Sequence, residues 1–134
     1  MIRDYNLILS SAQVITDSSA ASTYHIDTLA AGDAIAPGAM IEFRVGTAFT
    51  AGTSIKFDVQ TDSTDGFGSA VTIFSTGAIA ETDLTVNKVI ARAVLPVGVK
   101  RYIRAYYTTV GTHSTGTLSA EIVLDGDKLI DGLL

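Results

Sequence analysis

The sequence predicts an all-β protein of about eight short strands, arranged as a two-sheet antiparallel sandwich, a jelly roll or a related barrel. Three observations support this fold class. Of 134 residues, 17 are Thr, 11 are Val and 13 are Ile, and such β-branched side chains pack well on a pleated sheet. Apolar and polar residues alternate in several segments, as in half-buried antiparallel strands. No segment sustains apolar residues at the helical spacing of about 3.6 residues.

Alternation and turn residues locate the strands in order along the chain. Clusters of Gly, Pro and Asp interrupt the sequence at intervals of about 10–25 residues. A short helical turn is expected within 80–88 or 127–134. The predicted strands are 6–16 (broken near Ser10 and Ser11), 22–28, 40–47, 53–61, 70–76, 86–95, 101–109 and 116–125.

Length and composition predict a single domain over residues 1–134, with a core that needs no metal or disulfide. The absence of Cys excludes a thiolate nucleophile and thiol-ligated zinc. No apolar run approaches the roughly 18 residues that span a bilayer, so no membrane association is expected. The N-terminal residues lack the charge order and cleavage pattern of a signal peptide, which favours a chain made in a cytoplasm.

The charge balance argues against a nucleic-acid partner. Charged residues make up 17% of the chain, against about 25% in an average soluble domain. The net charge of −5 lacks the basic footprint that neutralises phosphates. Mean hydropathy is +0.36, and an apolar-leaning chain with few charges favours assembly with a partner.

No catalytic, cofactor-binding or metal-ligating residue is predicted. The two histidines, His25 and His113, stand in no metal-ligand motif and are expected on a strand surface and in a loop. No G-x-S-x-G elbow is present. The glutamates Glu42, Glu81 and Glu121 are expected to be polar-face or loop residues. We therefore expect a non-enzymatic protein.

The acidic stretch 58–66 is a candidate calcium loop by composition alone. Its spacing is not that of a calcium-binding loop and the terminal Glu is missing. Asp and Gly at the exit of a strand also form ordinary Asx turns, so a turn is predicted here, with Gly66-Phe67-Gly68 as part of it. The stretch 125–127 is no stronger a candidate.

Two segments have the composition of an interface. Tyr102, Arg104 and Tyr106 are expected on one face of a strand, and Tyr and Arg are over-represented at binding hot spots. The alternative is that these aromatic residues only cover the edge of the sandwich. The tail 126–134 ends in apolar residues and is expected either to be disordered or to dock on a neighbouring subunit. We favour docking because it buries aliphatic side chains.

Seven segments carry a resemblance to a known family by their order and spacing: 1–13, 49–52, 59–63, 75–79, 95–98, 101–104 and 122–125. On these segments the chain resembles the capsid cement proteins of Bordetella-phage-type short-tailed bacteriophages. The resemblance implies a jelly-roll-like fold on the exterior of an icosahedral head. It also implies contacts with the major capsid protein, homo-oligomers (dimers or trimers) and synthesis in the host bacterium's cytoplasm. It carries over no catalytic residue, and the chain departs from the family pattern at Arg3, at Tyr5 and after Asp125.

The resemblance therefore implies a decoration protein that binds the outer surface of a phage head. The alternative is a carbohydrate- or surface-binding β-sandwich, because Tyr rings stack on sugars, although the chain has no Trp. The residues expected at the protein interface are Ile2, Arg3, Tyr5, Tyr102, Arg104, Tyr106, Leu133 and Leu134.

Overall fold

The computed structural model describes residues 7–16, 19–28, 39–95 and 98–123. A short 3-10 helix, Glu81–Asp83, lies between the sixth and seventh strands, within the stretch 80–88 where a helical turn was predicted. In these residues the strands are β1 (Ile8–Val14), β2 (Ala20–Ala21), β3 (Ile26–Asp27), β4 (Met40–Val45), β5 (Ser54–Asp62), β6 (Val71–Ala80), β7 (Val89–Val94), β8 (Tyr102–Val110) and β9 (Thr117–Val123).

The strands form two antiparallel sheets with the strand order of a jelly roll. The four-stranded sheet has the order β1-β9-β4-β7, and the five-stranded sheet has the order β2-β8-β5-β6 with β3 also paired to β8. The pairs are nested in the chain: β5 with β6, β4 with β7, β2 and β3 with β8, and β1 with β9. A long antiparallel hairpin rolled into two sheets produces this order. The predicted jelly-roll-like β-sandwich is therefore confirmed.

Two predicted strands differ most from the observed ones. Of the strand expected at 22–28, only β3 (Ile26–Asp27) is observed, and the other short strand, β2 (Ala20–Ala21), lies before it. Between them the Ser22 hydroxyl accepts the Ala105 N–H at 3.0 Å and donates to the Tyr24 carbonyl at 2.7 Å, and such local bonds compete with a regular ladder. The strand expected to end at 76 continues to Ala80, because Gly77 adopts a φ of 71° that a β-bulge accommodates.

The core lies between the sheets and is centred on three aromatic rings. Phe43, Phe57 and Tyr107 are fully buried, and their ring centroids lie 5.3 to 6.3 Å apart. The Tyr107 hydroxyl lies 2.7 Å from Ser10 Oγ. Because Ser10 donates its only proton to Gln13 Oε1 at 2.7 Å, Tyr107 must donate to Ser10.

Tyr107 is predicted to make the fold sensitive to alkaline pH. Burial raises the pKa of the Tyr107 phenol above its ordinary value, so its contribution to stability is intact below the unfolded-state pKa of about 10. Above that pH, stability should fall by up to about 1.4 kcal/mol per pH unit from this group. Tyr107→Phe should cost about 1 kcal/mol at neutral pH and flatten that slope, as measured by urea unfolding from about pH 7 to 11. Equal alkaline slopes in both proteins would contradict this account.

The edges of both sheets are short or irregular. Strand β2 has two residues. Strand β6 uses ten residues to span Ser54–Thr61 of β5, with two register shifts. Strands β1 and β7 also carry shifts in register, and Ala12 of β1 has a φ of 49°. Such features hinder the addition of a further strand. In the described residues, the outward faces are therefore better suited to association than the edges.

Candidate interaction surface

The outward face of the four-stranded sheet is largely buried. Alternating with core residues of β4, Met40 and Glu42 are only 6% and 1% exposed, and Val123 of β9 is fully buried. Glu42 accepts hydrogen bonds from Arg92 Nε at 2.9 Å and from Arg92 Nη2, and it pairs with Arg44 Nη2 at 3.2 Å. Glu121 lies directly opposite Glu42 in the sheet. The central strands β4 and β9 therefore expose little apolar area on this face.

The two glutamates correct one expectation from the sequence. They lie on the polar face of their strands as predicted, yet Glu42 and Glu121 are both buried. Arginines from the same strand and from β7 surround Glu42, which compensates for the removal of its charge from water. Glu81 lies in the 3-10 helix and is partly exposed, in line with a connecting segment.

Strand β8 presents the predicted Tyr-Arg-Tyr stripe on the outward face of the five-stranded sheet. Ile103 and Ala105 point into the core and are fully buried. Tyr102, Arg104 and Tyr106 alternate with them and are half-buried. The structure thus places these three residues on one face, as the alternation predicts. Their role in an interface stays a prediction.

The Arg104 guanidinium lies between two aromatic rings. Its Cζ atom is 4.4 Å from the centroid of the Phe67 ring and 5.4 Å from that of Tyr106. Its Nε donates to Gln60 Oε1 at 2.8 Å, and Gln60 is the cross-strand neighbour of Arg104. Cation–π contacts and one hydrogen bond therefore fix the orientation of the side chain.

Phe67 reaches this face from the turn between β5 and β6. The turn is held by the Asp62 carboxylate, which accepts the backbone N–H of Ser69 at 2.8 Å and of Thr64 at 3.2 Å. Phe67 has a φ of 52°, which is rare for a bulky residue, and its side chain is 8% exposed. The turn therefore folds the Phe67 ring back onto the sheet.

The hydrogen bonds to Asp62 show that the acidic stretch 58–66 forms a turn. The Ser69 N–H, followed by those of Thr64 and Ser63, holds the pKa of Asp62 below its ordinary value despite burial. Its stabilising contribution is present above the unfolded-state pKa of about 3.9 and is lost as the pH falls through the lower folded-state value. The predicted Asx-type turn is confirmed. Within the described residues, no group of three His, Asp or Glu side chains is placed to hold a metal ion.

Further ring contacts join His25 to the same surface. Its imidazole makes edge contacts with Tyr102 at 5.6 Å and with Phe67 at 5.9 Å between centroids. Phe67 and Tyr102 are 6.5 Å apart. We call the surface formed by His25, Phe67, Tyr102, Arg104 and Tyr106 the aromatic–arginine surface.

Sequence reasoning missed two members of this surface. His25 is exposed as expected but lies in the loop before β3 and packs on the stripe. Phe67 was assigned only to a turn. A turn does not require a large apolar residue between two glycines. This placement of Phe67 was therefore the sequence signal that its ring packs on another part of the protein. Which residue its ring would contact depends on strand register, which the local sequence does not contain.

His113 also differs from expectation. It lies in the loop between β8 and β9, as predicted, but its side chain is only 1% exposed. Its ring packs against Phe49 at 5.3 Å between centroids, and neither ring nitrogen has a hydrogen-bond partner in the described structure. His113 therefore acts as part of the core packing at this end of the sandwich.

The remaining predicted interface residues lie outside the described residues. They are Ile2, Arg3, Tyr5, Leu133 and Leu134, together with the rest of the tail 126–134. Their interface role stays a prediction.

Two sheets in jelly-roll order, with one aromatic and arginine-bearing outward face, define a small jelly-roll β-sandwich protein. The chain belongs to the Bbp16 family, whose model matches residues 9–122. The family name indicates a protein of a Bordetella phage, in agreement with the phage origin that the resemblance implies. A search of curated proteins finds no match. Among the described residues, no helix is long and apolar enough to cross a membrane.

Proposed function

We propose that this protein is a capsid cement, or decoration, protein that binds the outer surface of a phage head and stabilises the lattice of major capsid subunits. The observation that carries the proposal is the aromatic–arginine surface. The chain also belongs to a phage protein family, which makes a phage head the expected partner. Tyr and Arg are over-represented at binding hot spots. Because ring and guanidinium contacts already hold these side chains, docking forfeits little conformational freedom.

A comparison of the sheet edges and the two outward faces supports docking through the outward face of the five-stranded sheet. The edges in the described structure are bulged or short, which disfavours attachment by strand addition. On the opposite face, the central strands β4 and β9 carry mostly buried side chains. The outward face of the five-stranded sheet is therefore the surface best suited to contact a lattice of coat subunits.

Binding would stabilise the shell by linkage. A ligand that prefers the mature shell stabilises it by RT ln(1 + [L]/Kd) per site, and micromolar to nanomolar sites correspond to about 8–12 kcal/mol of binding free energy. A homo-oligomer, dimer or trimer, that bridges two sites adds effective concentration. This role needs no catalysis, cofactor, membrane or nucleic acid, and the net charge of −5 disfavours contact with the genome.

The test replaces the stripe and measures attachment to heads that lack this protein. Tyr102→Ala, Arg104→Ala and Tyr106→Ala together should weaken attachment by about 100-fold or more, since hot-spot truncations each remove more than about 1 kcal/mol. The readout is occupancy on sedimented heads as a function of added protein. Circular dichroism and the unfolding midpoint check that the isolated fold is intact.

A second triple variant serves as the matched control. Val86→Ala, Lys88→Ala and Val94→Ala also remove apolar groups and one cation from exposed positions, but away from the aromatic–arginine surface. This variant should attach as the wild type does. Unchanged occupancy in the stripe variant would rule the surface out.

The alternative of a carbohydrate-binding module has weaker support. One face of each candidate ring is already taken, because Arg101 lies 5.1 Å from the centroid of Tyr102 and Arg104 lies 5.4 Å from that of Tyr106. At most one face of each ring is therefore left for stacking on a sugar. Specific binding on a glycan array, without attachment to heads, would favour this alternative over the cement function.

A further inference from the structure

We infer that Arg104 binds a carboxylate of the docking partner, an Asp or Glu side chain on the surface of a coat subunit. The inference rests on the proposed function and specifies the chemistry at the centre of its contact surface.

Arg104 differs from two neighbouring cations, Lys56 and Arg101, in its ion pairing. Lys56 pairs with Asp58 at 3.6 Å, and Arg101 pairs with Asp27 through Nε at 2.8 Å and Nη2 at 3.0 Å. Within the described residues, Arg104 has no carboxylate at ion-pair distance. Its side-chain hydrogen bond goes instead to the neutral amide of Gln60. The two neighbouring arginines thus differ in that one already has its carboxylate.

The geometry suits a carboxylate from outside the chain. The Gln60 bond uses Nε, so the two terminal nitrogens of the guanidinium remain outside it. The contact with the Phe67 ring engages the face of the guanidinium, whose N–H groups lie in the guanidinium plane and away from that face. Two parallel N–H donors match the two oxygens of a carboxylate. Because Arg104 is half-buried, this charge-assisted bond would form in a partly desolvated position.

The surroundings favour one carboxylate over a polyanion. Asp62 lies opposite Tyr102 and Asp58 opposite Tyr106, so carboxylates flank Arg104 along the neighbouring strand. A phosphate backbone would meet these repulsive charges as well as the net charge of the chain. A single acidic side chain reaching between the rings avoids most of this repulsion.

Phe67 acts as a positioning residue for Arg104. Its ring lies over the guanidinium, and its left-handed backbone is held by the turn that Asp62 organises. Phe67→Gly removes the ring in a residue type that adopts this backbone conformation freely. It should weaken attachment, but by less than loss of the Arg104 charge does.

The experiment compares matched arginine variants on heads that lack this protein. Arg104→Gln should weaken attachment by about 10- to 100-fold, as expected for a lost hydrogen bond to a charged group, and Arg104→Glu should weaken it further. Arg104→Lys should fall between wild type and Arg104→Gln, because Lys keeps the charge but not the fork of donors. Arg101→Gln makes the same change in net charge on the same face and should have a much smaller effect.

Salt dependence provides a second readout. Between about 50 and 300 mM salt, wild-type attachment should weaken more steeply than that of Arg104→Gln. Salt screens the ion pair that the wild type makes, and the variant has no such pair to screen. Equal losses in Arg104→Gln and Arg101→Gln would overturn the inference, as would full attachment of Arg104→Gln. Failure of the wild type to attach would instead overturn the proposed function, and the inference with it.

Two further outcomes identify the source of the carboxylate. Changing one acidic surface residue of the coat subunit to Lys should restore attachment of Arg104→Glu. Sedimentation of the free proteins should show the same oligomer for wild type and Arg104→Gln. Dissociation of Arg104→Gln into smaller species would place the carboxylate on a second copy of this chain and overturn the assignment to the coat.

Discussion

Gly116→Ala is expected to destabilise the fold by about 3–5 kcal/mol, combining backbone strain with overpacking. Gly116 has a φ of 144°, a conformation that L-residues with a side chain rarely adopt. An added Cβ would lie 2.2 Å from Phe49 Cδ2 and 2.5 Å from Phe49 Cγ. The Phe49 ring is buried and has the buried His113 ring on another side, so it has little room to withdraw.

The matched substitution for this prediction is Gly68→Ala. A Cβ at Gly68 would meet nothing within 4 Å, so this variant should stay within about 0.5 kcal/mol of wild type. Urea unfolding of the three proteins gives the comparison. Equal midpoints for Gly116→Ala and Gly68→Ala would show that the packing of Phe49 against the β8–β9 connection is looser than the structure indicates.

The sequence predicts the parts of this fold that depend on local pattern. Alternation in 101–109 locates β8 and separates its inward residues, such as Ile103, from its outward residues, such as Arg104. Turn residues locate the bend that carries Phe67. Both are properties of a few adjacent residues, because side chains alternate with a period of two along any strand.

Contacts that depend on which strands pair, and in which register, cannot be predicted from such local patterns. Arg104 meets Phe67 because β8 lies beside β5, whose end leads into the turn. Glu42 is buried because β7 places Arg92 beside it. The alternation of polar and apolar residues around Glu42 is the same as it would be for an exposed strand residue. His113 likewise becomes buried through contact with Phe49, a residue far away in the chain.

Arg92→Met is expected to destabilise the protein by about 3 kcal/mol, because it leaves a buried carboxylate without its main cation. Glu42 is almost inaccessible, and Arg92 is the arginine that contacts it through two nitrogens, with a side chain 21% exposed. Glu121 lies directly opposite, and like charges facing each other across a sheet repel. Methionine keeps most of the length of the apolar stem, so the loss reports mainly on charge.

Two variants separate the buried ion pair from a general effect of losing an arginine. Arg101→Met removes the cation of an exposed pair, in which Arg101 and Asp27 are 42% and 31% exposed, and should leave the unfolding midpoint nearly unchanged. Glu42→Met combined with Arg92→Met should recover more than half of the loss, since an apolar pair in place of a buried ion pair is often neutral. Glu42→Met alone completes the comparison. If the double variant loses as much stability as Arg92→Met and Glu42→Met lose in sum, the two charges do not interact. The outward face of the four-stranded sheet would then owe its stability to packing alone.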